Sequence, residues 1–449
     1  MFSKVLIANR GAVAARVLRA LYELKVRTAA VYSEADYGAP YLELATETYA
    51  IGAAPAAESY LNQDTLVEVI KRSHSEGVHP GYGFLSENAD FAQRVIDAGA
   101  HFIGPSPRWI SAMGHKTRAR EIAAEHGMPV SKGTDVLPAQ SEEVLAAARA
   151  IGFPVLVKPA GGGGGIGMLP AKNEAELLEA VERSRSMASR GFGNAEVYLE
   201  RLIERPRHVE FQVLGDTHGG AVHLYERDCS TQRRNQKVIE EAPAPAIARS
   251  DVESMAARVA SMVRDMGYDN IGTVEMLYGP DGSFSFLEMN TRLQVEHGVT
   301  EEVTGIDLVK AQVRSAAGEK LSAILPSKIE LEGHAIQARV YAEDPRTFFP
   351  SPGKLKVFRP PQDPGIRIET GYAEGRDVTP HYDPMIAKVI VHAGTREQAI
   401  DRLIAGLGAF DIQGLKNNIP AVLAVLRSEV FRSGEVHTGI LPQVLAKKA

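Results

Sequence analysis

The chain has 449 residues, 44% hydrophobic and 24% charged, an ordinary globular composition long enough for about two to four domains. A formal net charge of −6 excludes the basic surplus expected of a nucleic-acid-binding protein. A single cysteine, Cys229, excludes an internal disulfide framework, and no apolar run approaches the roughly 18 residues of a membrane helix. The N-terminus "MFSKVLIANRG" enters a strand-like run without a signal or transit pattern, so a cytoplasmic protein with no membrane partner is expected.

"KVLIAN" (4–9) has the pattern of a short buried strand, and "GAVAARVLRALYELK" after it has helical periodicity. "RTAAVYS" (27–33) is the next strand, which completes a strand–helix–strand unit and predicts a parallel sheet. Similar runs continue to Gly114, so residues 1–114 are expected to form a doubly wound α/β domain. "GHKTRAREIAAEHGMPV" (114–130) is a helix stopped by Gly127 and Pro129. Two strand candidates, "FPVLVK" (153–158) and "GMLPA" (167–171), flank a run of glycines. A helix follows over 174–190, with Asn173 and Glu176 spaced as a capping box. Segments 208–214 and 220–225 are strands of a larger antiparallel region, and "TVEMLYGPDGSFSFLEMN" (273–290) is a hairpin turning at "GPDGS". After about residue 330 comes a strand-rich tail that ends in helices over 396–411 and 416–430.

The five consecutive glycines, Gly161–Gly165, are the first functional signal, because bare backbone costs conformational entropy. A flexible linker is one reading, but the run joins two strands of one small hairpin. Gly162, Gly164 and Gly167 match a dinucleotide-binding spacing, yet no helix opens at the last glycine. A Walker A loop needs a terminal Gly-Lys-Ser/Thr, which is absent. The remaining reading is a glycine-rich lid whose N–H groups approach nucleotide phosphates, with Lys158 adding a positive charge.

"FLEMNTRLQVE" (286–296) supplies the second signal. Read as an extended chain, it places Glu288, Asn290, Arg292, Gln294 and Glu296 on one face. Such a face could be only a solvated sheet surface. However, Glu275 on the other hairpin arm can sit beside Glu288, and two adjacent carboxylates need a cation between them. Oxygen-only ligands suit Mg²⁺, so lysine, glycine lid and paired carboxylates together describe a phosphoryl-transfer site. Arg292, Gln294 and Glu296 would then hold and deprotonate a small anionic acceptor.

The chain also carries "KVLIANRG" (4–11), "HPGYGFLSEN" (79–88), "FIGPS" (102–106), "MGHK" (113–116), "RHVEFQV" (207–213), "ERDCSTQRRNQK" (226–237), "EEAPAP" (240–245), "EMNTRLQVEH" (288–297), "AEDP" (342–345) and "SPGK" (351–354). In this order and spacing the motifs resemble the biotin carboxylase component of biotin-dependent carboxylases, an ATP-grasp enzyme, over nearly the whole length. The resemblance implies a mixed α/β, ATP-grasp fold. Its parts would be an N-terminal Rossmann-like domain (1–114), an ATP-grasp domain (115–330) with a lid at 131–203, and a β-rich C-terminal domain (331–449). It implies ATP- and Mg²⁺- (or Mn²⁺-) dependent carboxylation of biotin by bicarbonate through carboxyphosphate. That would be the first half-reaction of an acyl-CoA or related carboxylase, as in fatty acid metabolism.

By the same resemblance, Lys116, Lys158, Gly163, Gly164 and Gly165 would contact the ATP phosphates. Glu200, Leu202 and Leu277 would hold the adenine, and His208, Gln232 and Asn235 would line the nucleotide site. Glu275, Glu288 and Asn290 would face the metal. Lys237, Arg292, Gln294 and the Val295 backbone would bind bicarbonate, with Glu296 as its base. Arg339 would stabilise the biotin enolate, and Tyr82 would lie near biotin. Cys229 has no role in this chemistry.

Some residues depart from the acetyl-CoA carboxylase type, which has Glu at Ala12, Arg or Lys at Ile166, His at Asn235 and Pro at Gly298. "ANRGAVA", "GGIGM", "QRRNQK" and "EHGVTEE" look more like the corresponding domain of urea carboxylases. No "MKM"-type biotinylation site occurs, so biotin on a separate carrier protein, a separate carboxyltransferase and a homodimeric state are expected. The alternatives are an ATP-grasp carboxylate–amine ligase, for which Arg339 would have no use, and a catalytically silent nucleotide-binding protein.

Overall fold

The structure is a computed structural model that describes residues 1–161 and 167–446, so Gly162, Gly163, Gly164, Gly165 and Ile166 lie outside the described residues. The N-terminal strand Lys4–Ile7 pairs in parallel with Arg27–Tyr32 on one side and Gly77–His79 on the other. Glu47–Ala50 and His101–Phe102 complete a five-stranded parallel sheet. Apolar cores lie on both of its faces, as doubly wound topology requires. The helix between the first two strands, Gly11–Glu23, buries Val13, Val17, Leu18 and Leu21 at helical spacing against the core.

A second unit is a three-stranded antiparallel sheet with Val155–Pro159 in the centre, between Leu169–Ala171 and Val197–Arg201. The helix Glu174–Phe192 packs on it, and the expected cap is present: Asn173 Oδ1 accepts from Glu176 N–H at 3.0 Å. Glu176 in turn accepts from Lys172 N–H at 2.9 Å, one residue before the position a standard capping box would use.

The third and largest unit is an eight-stranded sheet whose neighbouring strands all run antiparallel. In spatial order its strands are Phe284–Asn290, Ile271–Tyr278, Arg207–Gly215, Ala221–Arg233, Gln236–Ala242, His334–Tyr341, Met385–Ala393 and Ile366–Glu369. The sheet therefore runs without a break from the 273–290 hairpin into the strand-rich tail. The strand expected at 220–225 extends to Arg233 through a bulge between His223 and Glu226, where Tyr225 has a positive φ. The helix expected at 416–430 is two helices, Ile419–Leu426 and Glu429–Arg432, with Ser428 capping the second. Among the described residues no helix is long and apolar enough to cross a membrane.

The tail passes close against the N-terminal unit at Gly371. A Cβ there would stand 2.4 Å from Gly11 Cα and 2.5 Å from Gly11 carbonyl carbon, both main-chain atoms that cannot rotate aside. Gly371→Ala should therefore destabilise the fold by about 1–3 kcal/mol, read as a lower midpoint of thermal unfolding.

Candidate active site

The eight-stranded sheet brings residues distant in sequence into one row across its face. Strand Ile271–Tyr278 sets Glu275 opposite Glu288 on one neighbour and opposite Glu210 on the other. Strand Gln236–Ala242 adds Lys237, and His334–Tyr341 adds Arg339. Above this row is a cavity of about 540 Å³. Lys116 and Lys158 enter its wall from outside the sheet, and Glu200, Leu202, His208, Gln232 and Asn235 line it with them.

Its apolar lining is Leu156, Met168, Leu202, Ile203, Leu277 and Leu287. Beside them Glu200 accepts from Lys158 at 3.0 Å and pairs with Arg120. Burial raises the Glu200 carboxyl pKa, but the two cations outweigh it and hold the group below its usual range. Lys158 is buried yet kept charged by Glu200, whereas burial pulls Lys116 down despite the nearby Glu288.

The sheet side of the cavity is dense with charge. Lys237 Nζ donates to Glu210 at 2.5 Å, to Glu296 at 2.6 Å and to Glu275 at 2.7 Å. Burial opposes the lysine's charge, but three carboxylates hold its pKa well above the ordinary value. Burial likewise raises Glu296 and Glu275, and Lys237 outweighs it, so both remain anionic. His208 stands 3.0 Å from Glu275; burial lowers its pKa, Glu275 more than reverses this, and the ring is pushed up to about 9. Arg339 bridges Glu296 at 2.9 Å and Glu240 at 2.5 Å. Arg292 is held by Glu87 of the N-terminal unit at 2.8 Å and donates to Asn290 at 3.0 Å.

Glu288 differs from these groups. Burial and then Glu275 push its carboxyl up, and it makes no hydrogen bond or ion pair among the described residues. With Glu275 and Asn290 it offers a hard, all-oxygen set on the wall of the cavity that Lys116 and Lys158 also line. That set fits Mg²⁺, whose charge would relieve the repulsion between the two carboxylates.

The expected alternation over 286–296 holds only in part. The strand ends at Asn290, and a bulge after Glu275 pairs Met276 with Phe286 rather than with Leu287. Leu287 as well as Glu288 consequently reaches the cavity, which strict alternation forbids. Arg292, Gln294, Val295 and Glu296 arrive from an irregular loop that runs into the helix His297–Thr304. Glu296 occupies that helix's N-cap without making a side-chain cap, which leaves both its oxygens for Lys237 and Arg339.

Tyr82 does not line the cavity; its hydroxyl is buried without a hydrogen-bond partner among the described residues. Asn235 does line it, but Arg234 and Asn235 also form the two-residue turn between strands Ala221–Arg233 and Gln236–Ala242, both at positive φ. A short polar residue is favoured there whatever the ligand. Cys229 is fully buried, and burial followed by Glu210 pushes its thiol well up, so it is no nucleophile.

Sequence reasoning missed the buried floor. Glu210 could have been found by its two-residue spacing from His208 on one strand. Arg227, fully buried, donates to Glu210 at 2.6 Å, to Gln212 and Thr300 at 2.8 Å and to Gln294 Oε1 at 3.1 Å. This fixes the Gln294 amide with its nitrogen 2.8 Å from Glu275. Only a folded sheet shows those five groups together.

Comparison with known proteins agrees with this arrangement. Residues 1–110 match the biotin carboxylase N-terminal domain, 115–324 the ATP-binding domain of the carbamoyl-phosphate synthase L chain, and 337–443 the biotin carboxylase C-terminal domain. The chain is 49% identical over 448 residues to a biotin carboxylase of Halalkalibacterium halodurans, covering 100% of this chain and 99% of that one. It is 45% identical to a pyruvate carboxylase subunit of Methanothermobacter thermautotrophicus, over 98% of this chain and 89% of the relative. Among solved structures, it is similar to the biotin carboxylase domain dimer of Hydrogenobacter thermophilus 2-oxoglutarate carboxylase in complex with MgADP, ADP and bicarbonate. That likeness has a TM-score of 0.95 at 42% identity, over 99% of this chain and 98% of that one. The chain belongs to the biotin carboxylase family, with an ATP-grasp fold.

Proposed function

We propose that the protein is an ATP-dependent biotin carboxylase that uses bicarbonate to carboxylate biotin on a separate carrier. The observation that carries this reading is Lys237, Arg292 and Arg339 lining, together with Glu275, Glu288 and Glu296, one cavity that also has apolar lining residues. The apolar lining suits a purine, with Lys116 and Lys158 on its phosphates. Mg²⁺ held by Glu275, Glu288 and Asn290 would neutralise phosphate charge as ADP leaves.

The ion pairs also suggest how the base is switched on. With both oxygens of Glu296 paired, its proton affinity is low. Bicarbonate is itself an anion and would take over Lys237, Arg292 and Arg339 as it binds. Glu296 then loses its counter-charges, its proton affinity rises, and it can remove the bicarbonate proton. The resulting carbonate dianion attacks the γ-phosphorus, giving carboxyphosphate and ADP. Carboxyphosphate breaks down to CO₂ and phosphate; the phosphate takes the biotin N1′ proton, and Arg339 stabilises the enolate that attacks CO₂.

The Hydrogenobacter relative is a dimer and the Methanothermobacter relative is one component of a larger enzyme, which supports a homodimer working with a carrier protein and a carboxyltransferase. The single buried cysteine fits the cytoplasm. Relatives named for pyruvate and for 2-oxoglutarate support assigning choice of the final acceptor to the carboxyltransferase rather than to this chain.

ADP release from MgATP is expected to require bicarbonate and to rise when free biotin is added. Release indifferent to both would overturn carboxylation and leave a carboxylate–amine ligase. Glu296→Ala should retain ATP binding by calorimetry while bicarbonate-dependent turnover falls about a hundredfold or more, the scale of a lost general base. Arg339→Met should depress biotin carboxylation by about a hundredfold, the scale of one lost oxyanion contact, with nucleotide affinity within a few-fold of the parent. An equal loss of nucleotide affinity would move Arg339 into the ATP site.

A further inference from the structure

Outside the cavity, beneath the loop that carries Gln294, Val295 and Glu296, is a buried lysine with no role in the chemistry above. Lys388 lies on strand Met385–Ala393, directly across the ladder from Arg339 on one side and Glu369 on the other. Residues directly opposite in an antiparallel ladder share a face, so the three form one row. Lys388 and Glu369 are both 0% exposed and pair at 2.6 Å. The side-chain hydrogen bond of Lys388 goes to the carbonyl of Val295, at 2.7 Å. Neighbours in the row thus grip neighbours in the loop: Arg339 takes the Glu296 side chain, and Lys388 takes the main chain just before it.

His297 makes a matching contact one peptide earlier. Its Nδ1 is 2.7 Å from the Gln294 carbonyl, and the ring is fully buried. A carbonyl can only accept, so Nδ1 carries the proton. Burial, then Lys388, pulls the ring's pKa well below its ordinary value, so the imidazole is neutral and its Nε2 is a bare lone pair.

Two consecutive carbonyls, Gln294 and Val295, are therefore held from below by buried donors. In a trans peptide the N–H of the next residue points the opposite way. Fixing the two carbonyls turns the N–H groups of Val295 and Glu296 away from the floor, toward the cavity that both residues line. Neither N–H has a hydrogen-bond partner among the described residues. Packing alone does not call for this arrangement, because a fully buried ion pair is usually no more stable than apolar residues of the same size.

We propose that Lys388 and His297 are positioning residues that hold the Val295 and Glu296 amides as anion donors, and so set the affinity for bicarbonate. This rests on the carboxylase reading above. The test compares Lys388→Met/Glu369→Gln, which removes the pair without stranding a carboxylate, with His297→Leu and His297→Asn. Asparagine can place an amide N–H where Nδ1–H stood. In the double variant and in His297→Leu, KM for bicarbonate should rise about tenfold or more, the scale of one lost hydrogen bond from a charged or buried donor. KM for MgATP should stay within about twofold, since no nucleotide contact changes, and His297→Asn should stay near the parent. Both KM values rising together, or bicarbonate KM unchanged in a folded variant, would overturn the proposal.

Hydrogen exchange in the ligand-free protein separates this failure from failure of the carboxylase reading. Amides across 294–298 should exchange faster in the double variant and in His297→Leu, and unchanged protection there sinks the clamp. Faster exchange, with parent ADP release indifferent to bicarbonate, upholds the clamp and sinks carboxylation instead.

Discussion

The site depends on one buried cation. Lys237 is encircled by Glu210, Glu275 and Glu296, each within 2.7 Å, at a place where isolated charges of either sign would be very costly. Three carboxylates around one lysine leave excess negative charge, which Arg227, His208 and Arg339 offset from below and from the side. The knot is therefore close to balanced but not quenched. An incoming anion or metal ion redistributes its pairs rather than meeting a neutral wall, and that is the property bicarbonate activation needs. Such ion pairs are poor evidence for stability, and their retention here is better explained by chemistry.

Around that knot the parallel-sheet unit and the large sheet with its tail hold one another through specific polar contacts. Glu87 from the parallel-sheet unit fixes Arg292 at 2.8 Å. Arg16 from the first helix reaches Glu301 at 2.8 Å, and Arg367 from the strand-rich tail reaches the same carboxylate at 2.6 Å. Lys388, also from the tail, holds the Val295 carbonyl. The loop 291–296 has no ladder of its own, so its shape is imposed by neighbours from both ends of the chain. Glycine at 371 permits another such approach, where two main chains pass with no room for a methyl group.

Local pattern made much of this legible. The hairpin over 273–290 needed only its turn residues and alternation, and from it the pairing of Glu275 with Glu288 followed correctly. The cap at Asn173 was likewise visible in four residues. Alternation failed at the bulge beside Glu275, because a register shift leaves no mark in hydrophobic periodicity, and Leu287 was assigned to the wrong face. Arg227 and Glu240 were missed for a related reason. A buried charge reads in sequence like a surface charge, and only its countercharge, distant along the chain, reveals the difference. The motif that carries Tyr82 has glycines and a proline that equally well shape a loop, and Tyr82 does not line the cavity.

The sequence by itself determined the fold class, the family and most of the charged side chains that line the cavity, because motif order and local periodicity are properties of neighbouring residues. The tertiary structure decided how those groups are charged and held: which carboxylates share Lys237, which arginine fixes Gln294, and which lysine grips the Val295 carbonyl. Those contacts join residues 27 to 93 positions apart, and the energy of each depends on distance and burial, which no linear pattern encodes.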